Sequence, residues 1–185
     1  SGNAGTTNTL RVLGTKAGLI VLLGDVLKTM LAIAVMRFCI LPIFNVGDTE
    51  YLYVLYTEAG AILGHNFPFY MQFKGGKGIA STFGLILSFH PMFIPVGVVL
   101  FLGTFLLTHY VSLGSLLIYA GFVIQMIVMG QLGKLGVMEQ AVLNEMYIIA
   151  FLLLLMAYWK HRENIKRLLT GTERKTYLFK KNKVE

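Results

Sequence analysis

The chain has 185 residues, 56% hydrophobic and 14% charged, with a mean hydropathy of +0.69. A soluble domain carries about 25% charged residues, so this balance excludes an ordinary soluble fold and a disordered chain, and points to a membrane protein. The net charge is +7, but residues 160–185 alone hold nine of the 16 bases and three of the 9 acids, so the excess marks a tail beside a membrane segment, not a nucleic-acid-binding domain.

The chain opens on a polar segment, Ser1 to Arg11, with no signal-peptide pattern. Small residues, hydroxyls, amides and one arginine suit an oxyanion cradle, although Asn and Thr are also ordinary helix caps. Leu19 to Met36 reads as a first membrane span, with Asp25 and Lys28 three residues apart as a mutually neutralising pair. The lone Cys39 excludes an internal disulfide and a cysteine metal cluster. Tyr51 to Gly64 reads as a second, short span that carries Glu58, a functional candidate by default inside a membrane.

A second polar segment runs from Gly64-His65-Asn66-Phe67-Pro68 to Phe73-Lys74-Gly75-Gly76-Lys77-Gly78. Glycines admit a phosphate close to the backbone and lysine supplies a point charge. This is not a Walker A loop: Met71 stands where the first glycine belongs and Gly78 where Ser or Thr belongs. A flexible turn with a snorkelling lysine is the structural alternative.

The 56 residues between Lys77 and Lys134 contain no Asp, Glu, Lys or Arg. As helix they would run about 84 Å, against a hydrocarbon core of about 30 Å. They therefore cross two or three times, with breaks expected at His90-Pro91 and at His109 to Gly114. Met146 to Trp159 forms the last span, ending on interfacial aromatics. Three crossings before Lys134 place residues 1–16, 65–78 and 160–185 on one face with 13 of the 16 bases, as cytoplasmic loops require. The expected fold is all-α: a polytopic helical membrane protein with six spans. Its domain comprises residues 1–175, followed by a basic tail, 176–185. The third polar segment is His161 to Glu173, where His161 and Asn164 share a helix face. Charge alone would make it a juxtamembrane helix on anionic lipid.

Together the three polar segments resemble one family closely: the bacterial acyl-phosphate-dependent glycerol-3-phosphate acyltransferases, the PlsY family. Its motifs are of the types SGN-x-GATN-x-x-R, GH-x-x-P…FKGGKG-x-AT and HREN-x-x-RL-x-x-G-x-E. All three occur here in order, separated by spans; the Tyr110 to Ser115 stretch also resembles a family segment. Thr6 stands where alanine is usual. The family has a further span before the first motif, seven in all, which the resemblance implies this chain lacks.

The resemblance implies transfer of a fatty acyl group from acyl phosphate to the 1-hydroxyl of sn-glycerol 3-phosphate, in the bacterial cell membrane with the site facing the cytoplasm. Lysophosphatidic acid and phosphate would result, early in phospholipid synthesis. It implies partnership with membrane lipid and a functional link to an enzyme that makes acyl phosphate, but no nucleic acid. An acyl phosphate is already activated, so no cofactor, metal or covalent nucleophile is expected; the site must neutralise two phosphates and orient a hydroxyl. Lys77, with Gly75, Gly76 and Gly78, would hold phosphate and stabilise the leaving group. Ser1, Asn3, Thr7, Asn8 and Arg11 would complete the phosphate site. His161 and Asn164 would orient glycerol 3-phosphate, with Ser115 a lesser candidate. His65 or His161 could act as base, as could a substrate phosphate. A transporter of phosphorylated solutes is the rival reading, but no internal repeat of the transporter kind is evident.

Overall fold

The computed structural model describes residues 4–177; Ser1, Gly2 and Asn3 and residues 178–185 lie outside the described part. Eight helices follow one another, with no named strand among the described residues: α1 Thr6–Leu13, α2 Thr15–Phe44, α3 Glu50–Asn66, α4 Ile79–Phe89, α5 Phe93–Thr108, α6 Val111–Gln131, α7 Gln140–Lys160 and α8 Arg162–Leu169. The all-α reading holds. The six expected spans correspond to α2 through α7, and the breaks fall where His90-Pro91 and His109 predict them. The spans are unequal. Among the described residues, only α2, α6 and α7 are long and apolar enough to cross a membrane by length and composition. At 1.5 Å per residue a 21-residue helix covers about 31 Å, whereas the 11 residues of α4 cover about 16 Å.

Helix α2 is longer than Leu19 to Met36. It continues through a π-helical turn, Met36–Ile40, into Leu41–Phe44. Pro42 lies just beyond that turn; it lacks an N–H and its ring crowds the carbonyl four residues back, so the helix widens there. A second π turn, Val99–Gly103, interrupts α5.

Helix packing uses small residues where backbones must meet. A Cβ on Gly84 of α4 would stand 2.7 Å from both Thr29 Cβ and Val26 O of α2, so only glycine allows this crossing. α1 folds back on α2 through Gly14 at φ +87, and Gly18 there would meet Leu10 Cβ at 2.7 Å if it carried a side chain. The core, centred on Val54, Leu55, Ile62, Leu85 and Met126, is closed at one end by rings of Phe89, Phe93 and Phe122 with centroids 5.1–5.8 Å apart.

The short α4 ends on a clamp. Its last carbonyls have no partner within the helix. Arg37 of α2 donates to Ser88 O at 2.5 Å and Phe89 O at 3.1 Å, pairs with Glu50, and lies over the Tyr51 ring. One guanidinium thus caps one helix and ties in the start of another. Arg37→Ala is expected to destabilise the fold by about 1–3 kcal/mol, since hydrogen bonds to a charged group are worth that much. A lower SDS or thermal unfolding midpoint in detergent would register it; an unchanged midpoint would show the clamp to be idle.

Candidate active site

The three polar segments converge on one face. The last turn of α7 and the first of α8 meet at His161, whose backbone leaves helical geometry between them. This break turns the third segment across the mouth of the bundle and buries His161 and Asn164. Lys77, on the loop before α4, donates to Asn164 Oδ1. Asn164 Nδ2 in turn donates to Glu173 Oε1 at 2.9 Å. Glu173 also accepts from Ser112 Oγ at 3.0 Å and from Arg167 Nε at 2.8 Å. One buried carboxylate therefore holds α6, α8 and, through Asn164, the glycine loop.

Arg11 of α1 donates to Thr176 Oγ1 at 2.8 Å and to Arg174 O at 3.2 Å. Thr176 N donates to His109 O at 2.9 Å, and Tyr177 stacks on the His109 ring at 4.7 Å. Packing thus runs through Thr176 and Tyr177, the first two residues of the expected tail: Thr176 ties Arg11 to the end of α5, and Tyr177 lies against His109.

The glycine loop is built by close approach. Gly75 N donates to Asn66 O at 3.3 Å and Gly76 N to His65 O at 3.1 Å. These two N–H groups close the loop on α3, so a backbone cradle does not come from them, contrary to the simplest reading of the glycines. Their lack of a side chain is what counts: a Cβ on Gly75 would stand 2.1 Å from His65 O, and one on Gly76 would stand 2.0 Å from His65 Nε2 and 2.6 Å from Ala4 O. Gly76 is thereby pressed between the first and second segments. Gly78, at φ +82, turns the chain into α4, and its carbonyl accepts from Thr82 N. Lys160 secures the other side of the loop's base, donating to Asn66 O at 2.8 Å with its ammonium 4.0 Å from the Phe67 ring centroid.

Ser1 and Asn3 lie outside the described residues. Thr7 and Asn8 are half-buried on α1. Ser115 is buried and its hydroxyl donates to Val111 O at 2.8 Å, leaving lone pairs but no free proton. Ser112, Arg167, Glu173 and Thr176 were not singled out from sequence, although Arg167 and Glu173 stand inside the third motif and Ser112 inside the Tyr110 to Ser115 stretch.

The electrostatics favour an anion. Lys77 feels Arg11, Arg162 and Arg167, with only Glu173 to offset them. Burial first, and these cations second, bring the Lys77 ammonium down to about 8. Burial likewise lowers Arg11, opposed by Glu173. His161 falls to about 4, through burial and then Lys77, and is neutral at neutral pH. Its Nδ1 lies 2.8 Å from Ala157 O. A carbonyl only accepts, so Nδ1 carries the proton and Nε2 is left as an acceptor.

Two consequences are measurable. In the free protein kcat/KM should fall as pH rises through about 8, as Lys77 loses its proton, with no acid limb from His161 until about pH 4; a profile flat to pH 10 would detach Lys77 from the reaction. Gly76→Ala should cost about 100-fold or more in kcat/KM, as an ångström-scale displacement of a catalytic group does, and near-normal turnover would show the loop can yield.

The comparisons agree with this geometry. Residues 1–171 match the family model described as glycerol-3-phosphate acyltransferase. The chain is 38% identical over 182 residues to a glycerol-3-phosphate acyltransferase of Halalkalibacterium halodurans, covering 95% of this chain and 79% of that one. It is also 38% identical over 184 residues to glycerol-3-phosphate acyltransferase 2 of Bacillus cereus, covering 99% and 82%. Among solved structures it is similar to PlsY, described as an integral membrane glycerol 3-phosphate acyltransferase, in its glycerol 3-phosphate form: TM-score 0.78 at 31% identity over 97% of this chain and 83% of that one. The lysophosphatidic acid form of PlsY matches with a TM-score of 0.74 at 29% identity. The chain belongs to the glycerol-3-phosphate acyltransferase family of integral membrane proteins.

Proposed function

We propose that the protein transfers a fatty acyl group from acyl phosphate to the 1-hydroxyl of sn-glycerol 3-phosphate, releasing lysophosphatidic acid and phosphate, at the cytoplasmic face of a bacterial cell membrane. The observation that carries this reading is a buried cluster at the end of a membrane helix, in which Lys77 donates to Asn164, Arg167 pairs with Glu173 and Arg11 donates to Thr176, beside the buried imidazole of His161. The cations suit two phosphates; His161 Nε2 and Asn164 suit a hydroxyl. An acyl phosphate fits the donor role because its carbonyl arrives as a mixed anhydride, and the site then has only to position and neutralise. The family resemblance supports the same donor, and the link to an acyl-phosphate-producing enzyme follows from that choice.

In this reading the hydroxyl oxygen attacks the acyl carbon, the bond from that carbon to the phosphate oxygen breaks, and phosphate leaves against Lys77. The hydroxyl proton must go to an acceptor. His161, at about 4, is a weaker base than a phosphate monoester, whose second pKa is about 6. A substrate phosphate therefore takes the proton, and His161 fixes the direction of the hydroxyl. Facing of the site to the cytoplasm follows from the clustering of 13 of the 16 bases on that side in the six-span arrangement.

Purified protein given labelled glycerol 3-phosphate should form lysophosphatidic acid with acyl phosphate and not with acyl-CoA or acyl carrier protein. Lys77→Ala and Arg11→Ala should each lose about 100-fold or more in kcat/KM while keeping the elution profile of the parent in detergent. Product from acyl-CoA alone would overturn the donor; parental rates in both variants would overturn the phosphate site. Recovery of unmodified solute across a vesicle membrane, with no covalent product, would favour a transporter.

A further inference from the structure

Asp25 and Lys28 lie one turn apart inside α2, and nothing in the reaction above uses them. Ionised groups in a membrane helix are costly and usually functional. A pair that merely neutralised itself would need no third member, yet both side chains reach the same atom. Lys28 Nζ is 2.5 Å from Asp25 Oδ1 and 2.9 Å from His65 Nδ1, and Asp25 Oδ1 is 3.3 Å from that same Nδ1. Lys28 can only donate and Asp25 can only accept, so the two compete for Nδ1; the shorter contact, to Lys28, makes Nδ1 the acceptor and leaves the proton of the neutral ring on Nε2. Asp25 orients the ammonium by accepting from it. The His65 side chain is only 10% exposed. Its Nε2 faces away from α2, toward Gly76, so closely that a Cβ there would lie 2.0 Å from it. The next residue is Lys77.

We infer that Asp25 and Lys28 are positioning residues for the acyl transfer, acting through His65: they hold its ring with Nε2–H beside Gly76, so that the glycine loop offers an imidazole donor next to the Lys77 ammonium. The inference rests on reading this loop as the phosphate site. It assigns the membrane-buried charges a task at the cytoplasmic end of the bundle. The chain of contact is short: α2 sets the tautomer of a residue on α3, and that residue packs the loop leading into α4.

The experiment compares backgrounds in the full chain reconstituted in lipid. His65→Ala should lose about 100-fold in kcat/KM for glycerol 3-phosphate. His65→Gln places an amide N–H near the Nε2 position and should stay within about tenfold of the parent. Asp25→Ala or Lys28→Met should cost about 10–100-fold with His65 present, as loss of an orienting partner does. Added to His65→Ala, which leaves no ring to orient, either should cost no more than about twofold, the scatter of independent effects. Equal losses in both backgrounds would overturn the proposal. Histidine-labelled nitrogen NMR decides it without any variant: the proposal requires the neutral His65 ring protonated at Nε2, and protonation at Nδ1 overturns it. Lys77→Ala separates the two readings. If it is inactive while Asp25→Ala is unimpaired, the brace fails and the site stands; if it is fully active, the phosphate site itself fails.

Discussion

The face where the three polar segments meet closes around one buried carboxylate. Glu173 gathers Ser112, Asn164 and Arg167 onto its two oxygens, and Asn164 passes the connection to Lys77. A buried carboxylate is tolerable only when hydrogen-bonded and opposed by positive charge. Here Asn164 and Arg167 of its own segment meet both conditions, Ser112 of α6 adds a further donor and Asn164 holds Lys77, so the charge that must be satisfied is also what assembles the site. Arg167 pairs with Glu173, yet together with Arg11 and Arg162 it outweighs that single negative charge at Lys77. The remaining positive potential suits an anion, and a phosphate bound there would hold Lys77 protonated.

The same logic explains why glycines cluster next to the chemistry. A lysine loop could approach α3 only if its backbone came within contact distance of the His65 carbonyl and ring, and any side chain at 75 or 76 would occupy that space. The N–H groups are spent on α3 rather than on a ligand. Under the proposed function, what would reach toward substrate is therefore side-chain chemistry, from Lys77, His161 and Arg11, on a backbone that is locked behind it. That division gives a site whose donors are fixed before substrate arrives, the condition under which electrostatic stabilisation is worth most.

Much of this is legible in the chain and some is not, for physical reasons. Uncharged runs and the distribution of lysine and arginine are one-dimensional signals, so the breaks at His90 and His109 and the common face of the three polar segments follow from them. Span length is less direct: Pro42 and its π turn let α2 run to Phe44, past the charged Arg37 that a hydropathy reading takes as an end. Contacts between distant residues carry no local pattern at all. Arg37 on the carbonyls of α4, Thr176 on Arg11 and Lys28 on His65 each join residues at least 37 apart. The motif resemblance names Lys77 and Asn164, which the structure brings into contact, but gives no role to Glu173, which holds Asn164, because a carboxylate in a basic segment reads as a surface charge.

The short α4 ties these features to the membrane. It begins after Gly78 and ends at Phe89, between the site loop and the Arg37 clamp. About 16 Å of helix cannot bridge about 30 Å of hydrocarbon, so its two polar ends cannot both stand at the bilayer's outer boundaries. Each end has charge ready to meet that constraint: Arg37 with Glu50 at one, Lys77 with Asn164 at the other. Were the site end the recessed one, it would lie near the level where a membrane-held acyl chain ends and its polar head begins. For an enzyme that must join a chain dissolved in lipid to a hydroxyl dissolved in water, a shortened helix is a means of bringing the two reactants to one depth.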